Sequence, residues 1–144
     1  MSETNVMEQI KKIQDAPADQ DLRITRRIEI GSVIQQGDVY LHRVADGHPR
    51  GKQIGAGSVQ VALGVGNGAR HVAEGDVDVF AGQQLPPNVR APMDVQPQEI
   101  TGPVVVATKT WHLTHPEHPH HRLPAGVYQV TYQYDPHTMR RVVD

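Results

Sequence analysis

The stretch Ser58-Val59-Gln60-Val61-Ala62-Leu63-Gly64-Val65 alternates branched apolar residues with small or polar ones over eight positions. A period of two puts Val59, Val61, Leu63 and Val65 on one face of an extended chain, which is the signature of a half-buried strand and not of a helix. The same period recurs on both sides. In Leu22–Ile30 the residues Leu22, Ile24, Ile28 and Ile30 share a face broken only by Arg26, and over 38–44 Val39 and Leu41 oppose Tyr40, His42 and Val44. Further strands are predicted over 71–80, 103–114 and 126–134, with a short last one near 140–143.

Turn chemistry separates these runs: Gly31-Ser32, Gln36-Gly37-Asp38, a glycine-rich 45–57 stretch, and Gly66-Asn67-Gly68. The proline-studded segment 83–98 is longer than most connections in compact domains, so it is expected to be either functional or loosely held. Many short strands at this spacing predict an all-β fold, a small single-domain barrel or sandwich. Upstream, Val6, Met7, Ile10 and Ile13 fall near one helical stripe, and Asn5 stands three places before Glu8 as a cap. Residues 1–21 therefore read as a short N-terminal helix and linker, and 22–144 as the β domain.

The chain has 144 residues, 38% of them apolar, and only six aromatics, so its core has to come from aliphatics, chiefly nineteen valines. Fourteen basic against sixteen acidic residues give no general attraction to nucleic acid or to an anionic membrane. No apolar run approaches the roughly 18 residues of a membrane span, and the start lacks a signal-peptide core, so a soluble cytoplasmic protein is expected. The absence of cysteine removes disulfides, thiolate metal sites and cysteine nucleophiles. Serine occurs only at 2, 32 and 58 and never completes a nucleophile elbow, and no glycine run forms a phosphate-binding loop. Glu74, Asp76 and Asp78 alternate opposite Val77 and Val79 and read as the wet side of a strand rather than as acid/base catalysts.

Histidine is what the composition overuses. Of nine, His112, His115, His118, His120 and His121 fall within ten positions, with Glu117 among them. Imidazole and carboxylate are the ordinary ligands of zinc, iron or manganese where thiolate is absent, and three convergent ligands suffice for a site with an open position. On an extended chain His115 with Glu117, or His118 with His120, projects to one side, and Pro116 and Pro119 stiffen the stretch. His71, at the start of a strand after a glycine turn, is the candidate ligand from elsewhere. The expected metal set is His71, His115, Glu117 and His118, holding a divalent transition metal. The alternative is that the histidines are solvated loop residues or pH-sensitive contacts. His42 is expected to be a satisfied or interfacial histidine, and His48 and His137, each beside a proline, are expected in turns.

Two resemblances bear on this reading. Gln36-Gly37-Asp38-Val39, His71-Val72-Ala73-Glu74-Gly75, Leu113-Thr114-His115-Pro116-Glu117-His118 and Leu123-Pro124-Ala125-Gly126-Val127-Tyr128-Gln129-Val130 follow one another in an order that resembles a family of uncharacterised small bacterial and phage-associated β-rich proteins. The resemblance spans about residues 35–134 and implies no activity. Where that pattern tends to show Gly-His-x-His, this chain has Gly68-Ala69-Arg70-His71. The rhythm of residues 68–82 and 123–130 is also similar to that of cupins. This implies a jelly-roll barrel and, as a further alternative, a metal-dependent enzyme, although the cupin ligand positions are not filled. The competing expectation is a non-catalytic assembly protein, a homo-oligomer or a phage-related complex, since valine-rich strands and the terminal Arg140–Asp144 segment suit docking or strand addition.

Overall fold

The computed structural model describes residues 22–62, 70–135 and 140–142. Its elements run β1 (Arg23–Ile24), β2 (Val33–Gln36), β3 (Val39–Val44), β4 (Arg50–Ala62), β5 (His71–Gly82), α1 (Pro97–Ile100), β6 (Thr101–Thr114), β7 (His121–Leu123), β8 (Gly126–Tyr132), β9 (Tyr134–Asp135) and β10 (Arg140–Arg141). The domain is all-β. The predicted helix at 4–14, the glycine turn Gly66-Asn67-Gly68 and His137 lie outside the described residues. None of the described helices is long and apolar enough to cross a membrane.

One eight-stranded sheet carries the fold. β5 pairs antiparallel with β4 on one edge and β6 on the other. The long β6 is shared on its second edge: its first half pairs with β8, its last residues with β7. β8 leads to β3 and then β2, while β7 pairs in parallel with β1. The sheet bends where β5 and β6 fall out of register, Gly75 opposing Trp111 and Val77 opposing Ala107. A bulge of this kind sharpens the local twist, and the two halves of the sheet curl toward each other into a half-barrel. Tyr132 at the end of β8 closes the curl by donating its hydroxyl hydrogen to the Val61 carbonyl of β4 at 2.7 Å.

Alternation places the core on the concave side. Val39, Leu41, Ala73, Val105, Trp111, Leu113, Tyr128 and Val130 pack there with Val61 and Val79 in one buried cluster. Trp111 and Tyr128 meet edge to face with centroids 5.2 Å apart, and the Tyr128 hydroxyl donates to the Pro124 carbonyl at 2.7 Å. Val44, Val104 and Val127 form a smaller cluster with Phe80 and Val106. In the middle of β8 both kinds of position are buried, from Val127 to Thr131.

The bend explains one glycine. Gly75 adopts φ +131°, and a Cβ there would lie 3.3 Å from Trp111 Cα and Cβ. Gly75→Ala is expected to cost about 1–3 kcal/mol through backbone strain and contact with Trp111, read as a lowered thermal midpoint; an unchanged midpoint would remove the bend's dependence on this residue.

Several expectations are corrected in detail. The strand predicted over Leu22–Ile30 is reduced to Arg23–Ile24, and Ile24 and Ile30 are exposed rather than on a half-buried face. The glycine-rich 45–57 stretch is not a loop, because β4 begins at Arg50 and pairs with β5 through four register shifts. Val33–Gln36 forms a strand between two turns. Segment 83–98 is held rather than loose: Val89 N–H donates to Pro86 and Val95 N–H to Pro92, with Pro86 and Val95 buried. The C-terminal β10 pairs antiparallel with β9 of its own chain.

Candidate functional site

The Gln-Gly-Asp turn, the start of β5 and the segment after β6 converge at one end of the sheet. Gln36 is buried, and its amide nitrogen donates to two carbonyls, Leu113 at 2.9 Å and Pro119 at 2.8 Å. That fixes the amide orientation, so Oε1 faces His71 Nδ1 at 2.8 Å and accepts its hydrogen. The other imidazole nitrogen, Nε2, lies 2.9 Å from Asp38 Oδ1. Both ring nitrogens thus face acceptors. His71 and Asp38 are each only 1% exposed, so this is a buried, hydrogen-bonded pair that seals the β2–β3 turn against β5 and the 115–120 segment.

His115 is likewise buried. Its Nδ1 accepts the Glu117 backbone N–H at 2.9 Å, and its carbonyl accepts from His120 Nε2 at 2.9 Å. The His115 ring lies 4.3 Å from His71 and 4.3 Å from His118, and His71 and His118 stack at 6.1 Å. Three of the four expected ligands therefore come together. Glu117 does so only through its backbone, since its side chain is exposed. In this geometry both His71 nitrogens face Gln36 and Asp38, and His115 Nδ1 accepts an N–H. Among the described residues no group of three or more histidine or acidic side chains is arranged to hold a metal.

His120 is buried, whereas His112 and His121 are partly so. Burial first, then Arg122, holds His112 below the ordinary imidazole range, against the pull of Glu74. Burial first, then Arg23, does the same to His121. Glu74, Asp76 and Asp78 are exposed as expected.

A second set of histidines faces a different space. A groove of about 550 Å³ lies between β3 and the 84–89 segment, walled by Ile30, Val33, His42, His48, Pro86 and Val89 among others. His42 Nε2 meets Thr131 Oγ1 at 2.7 Å, and burial pushes its imidazole down to about 4, so it is neutral at pH 7. His48 is no simple turn residue. Its backbone N–H closes a turn on Ala45, but its ring is buried with Nε2 2.9 Å from Gln129 Oε1. Gln129 donates to Gly102 and Val130 carbonyls, so His48 Nε2 is the N–H. Among the described residues Arg43 carries the one fixed charge on the groove wall, and its guanidinium donates to the Val44 and Val127 carbonyls, 5.9 Å from the Tyr128 ring centroid. Ile30 and Val33 project at the rim, 65% and 50% exposed. No family model, curated protein or solved structure matches the chain.

Proposed function

We propose that the protein is a non-catalytic assembly module that associates with a second copy of itself through the groove between β3 and the proline-rich segment. The observation that carries this reading is the juxtaposition of a mainly apolar groove with two exposed apolar side chains, Ile30 and Val33, on the same face. A two-fold interface needs one patch that offers both knob and hole, and this face offers both. Among the described residues the groove is lined by no carboxylate, and its cation is engaged within the fold, so apolar contact dominates. β2, four residues long, ends the sheet next to this groove and suits edge-to-edge pairing of the two copies. The long edge of β4 suits it less, because its four register shifts and Lys52 interrupt a flat edge.

Light scattering on the full chain tests the proposal. The wild type is expected to run as a dimer or a higher even species and the Ile30→Glu/Val33→Lys double variant as a folded monomer; a wild type that is monomeric at every concentration overturns it.

Binding of zinc, iron or manganese at the histidine cluster is the competing reading, favoured by the three converging rings of His71, His115 and His118. It requires His71 to leave its present hydrogen bonds to Gln36 or Asp38. Plasma mass spectrometry of untagged protein decides it: near-stoichiometric metal lost in a His115→Ala/His118→Ala variant supports a site, and a folded protein that takes up no metal on reconstitution overturns it.

A further inference from the structure

We infer that the groove between β3 and the 84–89 segment is a binding site for a small, uncharged, mainly apolar molecule that donates one hydrogen bond, a phenol in its simplest form, with His48 Nδ1 as the acceptor. Such binding uses the groove of the proposed assembly but does not depend on association. His48 is 6% exposed and lines the groove. Gln129 Nε2 donates to the Gly102 and Val130 carbonyls, which turns Oε1 toward His48 Nε2 at 2.9 Å and puts the ring hydrogen there. In the neutral ring Nδ1 therefore carries a lone pair. No described residue donates to it, and it is not one of the polar atoms sealed from solvent without a partner, so a donor reaches it from the groove.

The rest of the groove selects against charge. Val33, Val44, Pro86 and Val89 give it apolar walls, and its volume of about 550 Å³ is that of a small-molecule site. His42, the second imidazole on the wall, is bonded to Thr131 Oγ1 through Nε2 at 2.7 Å and is neutral at pH 7, because burial holds it at about 4. Neighbouring residues of a strand project to opposite faces. His42 and Val44 line the groove, and Arg43 between them directs its guanidinium to the Val44 and Val127 carbonyls and over the Tyr128 ring. Among the described residues no other charged side chain lines the groove. An ion entering it would lose water without meeting a counter-charge, which is strongly unfavourable, whereas a neutral donor exchanges water for Nδ1.

The walls are in place before a ligand arrives. Pro86 is buried, and its carbonyl accepts the Val89 N–H at 3.1 Å, so the outer wall is a closed turn and little ordering cost opposes binding. The single acceptor gives direction. A ligand whose O–H is capped by a methyl group keeps its apolar contacts but leaves Nδ1 facing no donor, a difference worth about tenfold in affinity.

Titration of the full chain with p-cresol, followed by NMR of the imidazole and backbone nitrogens, tests the site at pH 8, where an ordinary imidazole is neutral and a phenol is not ionised. A Kd near or below about 1 mM is expected for a ligand of this size, with shifts of the His48 Nδ1 resonance and of the amides of His42, His48 and Val89. 4-Methylanisole, which lacks the O–H, is expected to bind about tenfold more weakly, and benzoate not measurably. No saturable shift with p-cresol, equal affinity for p-cresol and 4-methylanisole, or saturable binding that leaves His48 unmoved each overturns the inference. In His48→Phe, whose ring keeps its shape and loses Nδ1, the preference is expected to vanish, and a full preference in that folded variant also overturns it. Should His48→Phe not fold, the two ligands on the wild type decide alone. A second copy in the groove would compete with the ligand, so light scattering accompanies each titration. Where the protein associates, the affinity for p-cresol is expected to rise on dilution, and no binding at the lowest concentration overturns the inference. A protein that is monomeric at every concentration and binds p-cresol supports the site and contradicts the assembly alone.

Discussion

Asp38→Ala is expected to destabilise the protein by about 3–5 kcal/mol, because it leaves His71 buried with a nitrogen that has lost its counter-group. His71→Ala is expected to cost about as much, since it takes the imidazole away from a carboxylate that is 1% exposed. The informative comparison is Asp38→Asn. An asparagine amide can donate to Nε2 of a neutral His71 while Nδ1–H still reaches Gln36 Oε1, so every group keeps a partner and the expected loss is about 1 kcal/mol. Urea denaturation measures all three as shifts in midpoint at unchanged slope. An alanine variant no worse than the asparagine one would mean that the pair does not hold this end of the sheet together.

Acid is expected to remove about 3 kcal/mol through His42 alone. Burial lowers its folded value from the ordinary 6.5 to about 4, so between those limits the unfolded chain binds a proton that the folded chain refuses. The contribution is fully present above pH 6.5 and is lost as pH falls toward 4. His112 and His121 are shifted in the same direction by burial and by Arg122 and Arg23 respectively, which steepens the slope. Stability measured by denaturant titration at several pH values is expected to decline across this window, and His42→Gln, which retains an amide for Thr131, is expected to flatten the decline. A His42→Gln profile parallel to the wild type would assign the slope to other groups.

Strand periodicity made most of the fold legible before any coordinates. Val39 and Leu41, Val77 and Val79, and Tyr128 and Val130 recur at a spacing of two, and each pair is buried in the same core. Hidden strands had specific causes. Gly51, Gly55 and Gly57 made the first half of β4 look like a loop, and only pairing with β5 holds it extended. β2 spans four residues between turns, too few to show a period, and both Gln36 and Asp38 read as turn residues although both are buried.

The site was half legible. His71, His115 and His118 meet as their residue types and positions led us to expect, but their partners did not follow from ligand spacing. A glutamine cannot be recognised from sequence as the group that orients a distant histidine, here 35 positions away. A signal existed in Gln36-Gly37-Asp38, where an acid stands directly before an apolar strand and is thereby carried to the edge of the core. His48 gave no such sign; its burial depends on Gln129, 81 positions away.

The central claim, self-association through the groove face, is tested most directly by amide exchange of the wild type at low and high protein concentration. Protection rising with concentration in residues 30–34 and 84–89, with β4 unchanged, is the predicted result. Equal protection at both concentrations, in a sample that light scattering shows to be associating, would place the interface elsewhere and contradict the account.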